Sequence, residues 1–86
     1  MKHFEEYHEV DLLGFKKYIK SIGFELKSDY NFIYEYKQYI IYLFPFDEIY
    51  DFFNGSEWIN DTKLNDLTQF RKIERSYKIK KLLDQI

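Results

Sequence analysis

The chain has 86 residues, a formal net charge of −2 and no cysteine, but nine Phe, nine Tyr and one Trp. The length favours one domain over residues 1–86, the lack of cysteine excludes disulfides, and burial of aromatic rings is the visible substitute that could strengthen a small core. The net charge disfavours general electrostatic attachment to nucleic acid or anionic lipid.

The N-terminal residues carry little structural signal, and we expect residues 1–9 to be loosely ordered. They contain one Lys followed by acids, where a secretion signal would have a basic stretch and then an apolar run, so we expect a cytoplasmic protein. The longest apolar segment, Tyr39 to Phe46, has eight residues and includes Pro45, which is too short for a membrane span.

Residues 11–22 have the pattern of an amphipathic helix. The apolar positions Leu12, Phe15, Ile19 and Ile22 recur at helical spacing, and lysines occupy the opposite side. Asp11 suits the N-cap, and residue 23 is a glycine, which suits the left-handed C-terminal position.

The period then changes to two, which predicts strands. Residues 24–27 alternate apolar and charged side chains, and residues 28–31 read as a turn. Residues 32–36 and 39–44 are rich in aromatic and β-branched types, with a tight connection at 37–38. The segment 39–44 is apolar on both faces and is expected to be the central strand, ending at Pro45.

A hairpin and a helix complete the chain. Residues 50–53 and 57–59 flank Asn54-Gly55, which predicts a type I′ turn, and Asn60-Asp61-Thr62 reads as a second turn. A helical period returns from Leu67 onward, with Asn65 or Asp66 as its cap. The predicted class is α+β: an N-terminal helix, an antiparallel meander of about four or five strands and a long C-terminal helix packed on the sheet.

Catalysis is not predicted. There is no cysteine nucleophile, the only imidazoles are His3 and His8, and the three glycines form no phosphate-binding motif. His3 and His8 are five residues apart, which does not place them on one helical face with Glu5, Glu6 or Glu9, so no metal site is predicted. We therefore expect a chain without catalytic activity, metal or cofactor.

The aromatic residues predict a binding surface, because nineteen rings exceed what so small a core can bury. Tyr and Trp are the side chains that dominate protein interfaces. An open sheet face is expected to carry four tyrosines with the tryptophan at its margin: Tyr34, Tyr36, Tyr42, Tyr50 and Trp58. The alternative is that these rings only shield the sheet.

Charge is unevenly placed along the chain. The acidic stretch 47–66 adds Asp47, Glu48 and Asp51 to the candidate partner-binding residues, either as part of a protein interface or as a mimic of phosphate spacing. The alternative is an ordinary hydrated edge whose charges protect the sheet from edge-to-edge pairing. An alternative basic face on the C-terminal helix consists of Arg71, Arg75, Lys78, Lys80 and Lys81. The apolar helix end, with Leu82, Leu83 and Ile86, allows a homodimer.

The sequence therefore favours a small interaction domain that binds a protein partner and modulates it. Its size, its lack of cysteine, a composition typical of an AT-rich genome and its localised acid favour an inhibitor from a phage or mobile element that blocks a host nuclease or defence complex, as anti-CRISPR proteins do. Two alternatives remain open. One is a nucleic-acid-binding or regulatory domain that uses the basic helix, and the other is a homo-oligomeric structural protein.

Overall fold

A computed structural model describes residues 12–85. The elements in chain order are α1 (Leu12–Ser21), β1 (Glu25–Ser28), β2 (Ile33–Tyr36), β3 (Tyr39–Phe44), β4 (Ile49–Phe53), β5 (Trp58–Lys63), a 3₁₀ turn (Thr68–Phe70) and α2 (Arg71–Asp84). A helix, a five-stranded antiparallel sheet and a C-terminal helix confirm the predicted α+β class. The predictions for residues 1–9, for Asp11 as a cap and for His3 and His8 lie outside the described residues.

The sheet is a meander in which each strand pairs with its neighbour in sequence, in the order β1-β2-β3-β4-β5. The strand β3 is central, as its two apolar faces predicted, and it ends at Phe44, immediately before Pro45. The tight connection predicted at residues 37–38 is present, because Tyr36 pairs directly with Tyr39 across it. This pairing fixes which side chains of β2 and β3 share a face.

The core lies between the helices and one side of the sheet, called here the inner face. Phe70 stands at its centre and packs against five other rings, whose centroids lie 5.2 to 6.0 Å from its own: Phe15, Tyr18, Phe24, Tyr50 and Phe52. Ile19 of α1 and Ile73 of α2 belong to the same buried cluster. The rings of the 3₁₀ turn, α1, the residue before β1 and β4 thus share a single apolar cluster.

The end of α1 follows the glycine prediction. Gly23 has a φ of 110°, its N–H donates to the Lys20 carbonyl oxygen at 3.2 Å, and the Phe24 N–H donates to the Ile19 carbonyl oxygen at 3.0 Å. This pair of hydrogen bonds forms a Schellman motif, which stops the helix and turns the chain into β1.

The predicted type I′ turn at Asn54-Gly55 is wrong. That turn needs positive φ at both residues, and within the described loop only Gly55 has it, at 99°. The Asn54 side-chain oxygen instead accepts hydrogen bonds from the Ser56 and Glu57 N–H groups at 2.8 and 3.0 Å. The Asn54 side chain therefore stabilises a four-residue connection, across which Phe53 pairs with Trp58.

The predicted turn at Asn60-Asp61-Thr62 is also wrong, since these residues lie inside β5. The register between β4 and β5 shifts between Tyr50 and Phe52, and Asp61 adopts a φ of 57°. The Asp61 N–H donates to an Asp51 side-chain oxygen at 2.9 Å. The turn-forming residues thus create an irregularity within a strand, because pairing with β4 outweighs their local preference.

A 3₁₀ turn precedes the C-terminal helix. The predicted N-cap at Asn65 or Asp66 is wrong, because Leu67 holds that position at the 3₁₀ turn and Phe70 at the α-helix, neither with a side-chain cap. Asp66 nevertheless accepts hydrogen bonds from the Thr68 hydroxyl at 2.7 Å and the Thr68 N–H at 3.2 Å. These bonds from Thr68 hold the pKa of Asp66 below its usual range. The α-helical part begins at Arg71 and packs on the inner face through Ile73, which is buried.

Candidate functional site

The second side of the sheet is covered by neither α1 nor α2, and it is called here the open face. Side chains alternate between the two sides of a strand, so the pairings place one set of residues together on this side. Seven of them are apolar: Ile33, Ile40, Tyr42, Phe44, Ile49, Phe53 and Trp58. Four are charged: Glu25, Glu35, Asp51 and Lys63.

Aromatic rings form a continuous ridge across the open face. The Tyr42 and Trp58 ring centroids are 5.1 Å apart, and those of Phe53 and Trp58 are 5.3 Å apart. Tyr42 and Trp58 nevertheless remain 40% and 41% exposed. Large rings that already touch each other lose little conformational freedom on binding, which suits them to a protein interface.

The expected position of Tyr34 and Tyr50 on the open face is wrong, because both are buried in the core. Tyr34 pairs with Ile41 and Tyr50 pairs with Leu43, and all four side chains belong to the inner face. The Tyr50 hydroxyl donates to the Asp66 carbonyl oxygen at 2.6 Å. Burial raises the pKa of both tyrosines.

Tyr36 was also expected on the open face, and that position is wrong because its side chain lies on the same side of the sheet as Tyr34. Its ring lies on the inner face, with its centroid 5.8 Å from that of Phe24 and 5.9 Å from that of Tyr77 in α2. The Lys37 ammonium lies 5.4 Å from the same ring. Tyr36 therefore helps to seat α2 on the sheet and is half-buried.

The structure adds aromatic residues that the sequence reasoning missed. Phe44 lies on the open face at 38% exposure, and Phe46 is fully exposed in the connection between β3 and β4. Phe44 alternates with Leu43 in the same way that Tyr42 does, so the period of two in β3 was the signal that could have found it. The exposure of Phe46 had no comparable signal.

Acidic residues surround the apolar centre. Asp47 and Glu48 are exposed in the connection at one end of the open face, and Asp51 lies within it, opposite Tyr42. Residues 25–63 contain eight acidic residues against three lysines. The open face therefore combines an aromatic centre with a negative margin.

The basic side chains of α2 are all exposed, and they line three different hollows. Arg71 and Arg75 line a cleft beside the β4–β5 hairpin, Lys80 lines a hollow beside Tyr36, and Lys78 and Lys81 flank Leu82.

Lys78 differs from the other basic side chains because it is paired. It donates to Glu74 at 2.8 Å, and Glu74 also accepts a hydrogen bond from the Tyr18 hydroxyl at 2.6 Å. These contacts, first that with Lys78, hold the pKa of Glu74 below its usual range. Glu74 thus links Lys78 within α2 to Tyr18 of α1.

The apolar end of α2 is exposed. Leu82 and Leu83 are 63% and 64% exposed, and Ile86 lies outside the described residues. Within the described residues 12–85, no helix is long and apolar enough to cross a membrane, and no three His, Cys, Asp or Glu side chains are grouped as metal ligands.

Comparisons with protein-family models, curated proteins and solved structures gave no match to this chain.

Proposed function

We propose that this chain is a small, non-catalytic, cytoplasmic protein that binds another protein through the open face and modulates that protein's activity. The observation that carries the proposal is the aromatic ridge of Tyr42, Phe53 and Trp58 on a sheet face that α1 and α2 leave uncovered. Contiguous exposed apolar surface with polar residues around it is typical of protein interaction sites.

The margin of the open face indicates the chemistry of the partner. Asp47 and Glu48 are exposed beside the ridge, and Asp51 lies within it. A matching surface would have an apolar centre surrounded by Lys and Arg, because opposite charges speed association and exclude wrong partners. Basic surfaces of this kind are typical of nucleic-acid-binding proteins.

This complementarity supports the more specific proposal of an inhibitor from a phage or mobile element that occupies a host nuclease or defence complex, in the manner of anti-CRISPR proteins. Expression of the chain in a bacterium with an active nuclease-based defence should then raise the plating efficiency of a targeted phage. The variant with Tyr42→Ser and Trp58→Ser should lose this effect. Unchanged plating in both strains would count against the inhibitor.

Binding is tested by affinity capture from native-host lysate with three forms of the chain. The wild type should retain a basic protein, and Tyr42→Ser with Trp58→Ser should weaken retention by about tenfold or more, since hot-spot aromatics dominate interfaces. The matched control, Leu82→Ser with Leu83→Ser, removes two exposed apolar side chains outside the open face and should bind like the wild type. Equal loss in both variants would contradict the assignment of the open face.

Self-association is separated by sedimentation of the purified wild type over a range of concentrations. A monomer is expected, because the proposal is that the open face binds a different protein and not a second copy of this chain. A dimer that the Tyr42→Ser and Trp58→Ser variant abolishes would replace the proposal with the homo-oligomeric alternative. Nucleic-acid binding by the whole basic helix has less support, because Lys78 is paired with Glu74 and the net charge of the chain is −2.

A further inference from the structure

A cleft of about 720 Å³ lies on the helix side of the sheet, between the β4–β5 hairpin and the beginning of α2. It is called here the basic cleft. Its floor is formed by inner-face side chains, including Phe52 and Ile59, so it opens away from the open face. A ligand in the basic cleft and a protein on the open face would therefore not compete for the same residues.

Three cationic side chains line the basic cleft: Arg71, Lys72 and Arg75. All three are exposed, and in the part of the chain that the structure describes none of them forms an ion pair. None of the described residues that line the cleft is acidic. Converging cations without carboxylate partners attract an anion, and the two guanidinium groups suit a phosphate, which they can bind through paired hydrogen bonds.

The remainder of the basic cleft suits a flat, partly apolar group. Tyr39 lines the floor, is half-buried, and lies nearly parallel to Phe52, with ring centroids 5.9 Å apart and an interplanar angle of 13°. Asn54, Ser56 and Gln69 also line the cleft and supply hydrogen-bond donors and acceptors. Aromatic and amide side chains together are what a nucleobase requires for stacking and edge recognition.

We infer that the basic cleft binds a nucleoside phosphate, either as a free nucleotide or as one nucleotide of a single strand. Arg71 and Arg75 bind the phosphate, and the base lies against Tyr39. The volume of the cleft falls within the usual range for small-ligand sites, roughly 300–1,000 Å³. This site is additional to the proposed protein-binding role and does not depend on it.

The test is NMR titration of the full chain with three probes: adenosine monophosphate, a single-stranded oligodeoxythymidine of about eight nucleotides, and sulfate. Amide shifts are expected at residues 54–56 and 68–75 with one or both nucleotide probes. Arg71→Gln with Arg75→Gln should weaken that binding by about tenfold or more. The matched control, Lys80→Gln with Lys81→Gln, removes the same charge from the same helix outside the cleft and should bind like the wild type.

The outcomes are distinct. Binding of the monophosphate identifies a free nucleotide, and binding of the oligonucleotide alone identifies a strand; either supports the inference. Equal weakening by the two double variants, sulfate binding as tightly as the nucleotide, or no shift in the cleft with either nucleotide probe overturns it. If the arginine variant loses spectral dispersion, the exposed single substitution Lys72→Glu replaces it, with Lys80→Glu as its control.

Discussion

Tyr50 connects the sheet to the segment that leads into α2. Its ring is buried in the aromatic core, and its hydroxyl donates to the Asp66 carbonyl oxygen at 2.6 Å. Replacing Tyr50 with Phe should lower the free energy of unfolding by about 1–2 kcal/mol, because the carbonyl loses a largely buried partner. Urea denaturation measures this, and Tyr30→Phe, at a side chain that is 92% exposed, is the control that should change nothing.

The same residue predicts a limit at high pH. Burial raises the pKa of Tyr50 above its unfolded value of about 10, so its contribution to stability is present below that pH and is lost as the pH rises towards the folded pKa. The wild type should therefore weaken above about pH 10 in urea denaturation, and Tyr50→Phe should weaken less steeply. Parallel pH profiles of the two proteins would contradict this.

Gly23 and Gly55 both have positive φ, so an alanine at either position is strained. Comparing the two substitutions shows how much steric crowding adds to that strain. A Cβ on Gly23 would lie 2.7 Å from the Tyr36 ring, whereas on Gly55 it would lie 2.8 Å from the flexible side chain of Gln38. Gly23→Ala should cost about 2–3 kcal/mol of stability, and Gly55→Ala about 1 kcal/mol. Thermal or urea unfolding of both variants measures the difference, and equal costs would show that Tyr36 moves aside freely.

The type of a side chain predicted which face of the sheet it lies on less well than its position in the strand did. All four tyrosines were expected on one face, yet the two-residue connection at 37–38 pairs Tyr36 with Tyr39, and therefore Tyr34 with Ile41 and Ile33 with Tyr42. That register alone separates Tyr34 from Tyr42. The sequence of β3 could not predict which side of the sheet faces the helices, because both faces of this strand are apolar.

At the scale of elements, α2 is attached by its first half. Ile73 is buried, whereas every residue from 78 to 85 is exposed. Ile73→Ala should cost about 2–4 kcal/mol, and Leu83→Ala should stay within about 0.5 kcal/mol of the wild type. Amide hydrogen exchange should likewise be faster at 78–85 than at 71–77, and uniform protection along α2 would show that its distal half is also held.

The elements themselves were largely predictable, and their irregularities were not. Periodicity located both helices and the order of the strands, and Gly23 and Pro45 marked their ends correctly. The turn predicted at Asn60-Asp61-Thr62 was wrong because the local residue pattern contains no information about β4. In the structure β4 pairs with these residues and holds them in a strand. The basic cleft could not be predicted from the sequence either, because its lining comes from two elements that are separated along the chain. One is the β4–β5 hairpin, and the other is α2, which begins thirteen residues after Trp58.

Positive charge is concentrated in the helices, and negative charge is concentrated in the sheet. Residues 12–21 and 68–84 carry nine Lys or Arg and two acidic residues, whereas residues 25–63 are dominated by acids. At neutral pH and low salt, the protein should therefore bind both cation- and anion-exchange resins despite its net charge of −2. Lys80→Glu with Lys81→Glu should reduce retention on the cation exchanger only. Failure of the wild type to bind that resin would contradict the separation.

The sequential order of the strands also bears on how the chain reaches its native state. The connections span only residues 29–32, 37–38, 45–48 and 54–57, so the sheet can assemble one hairpin at a time without closing a long loop. Local strand pairing of this kind favours rapid formation of the sheet. Newly synthesised copies would then present their binding surfaces almost as soon as they leave the ribosome.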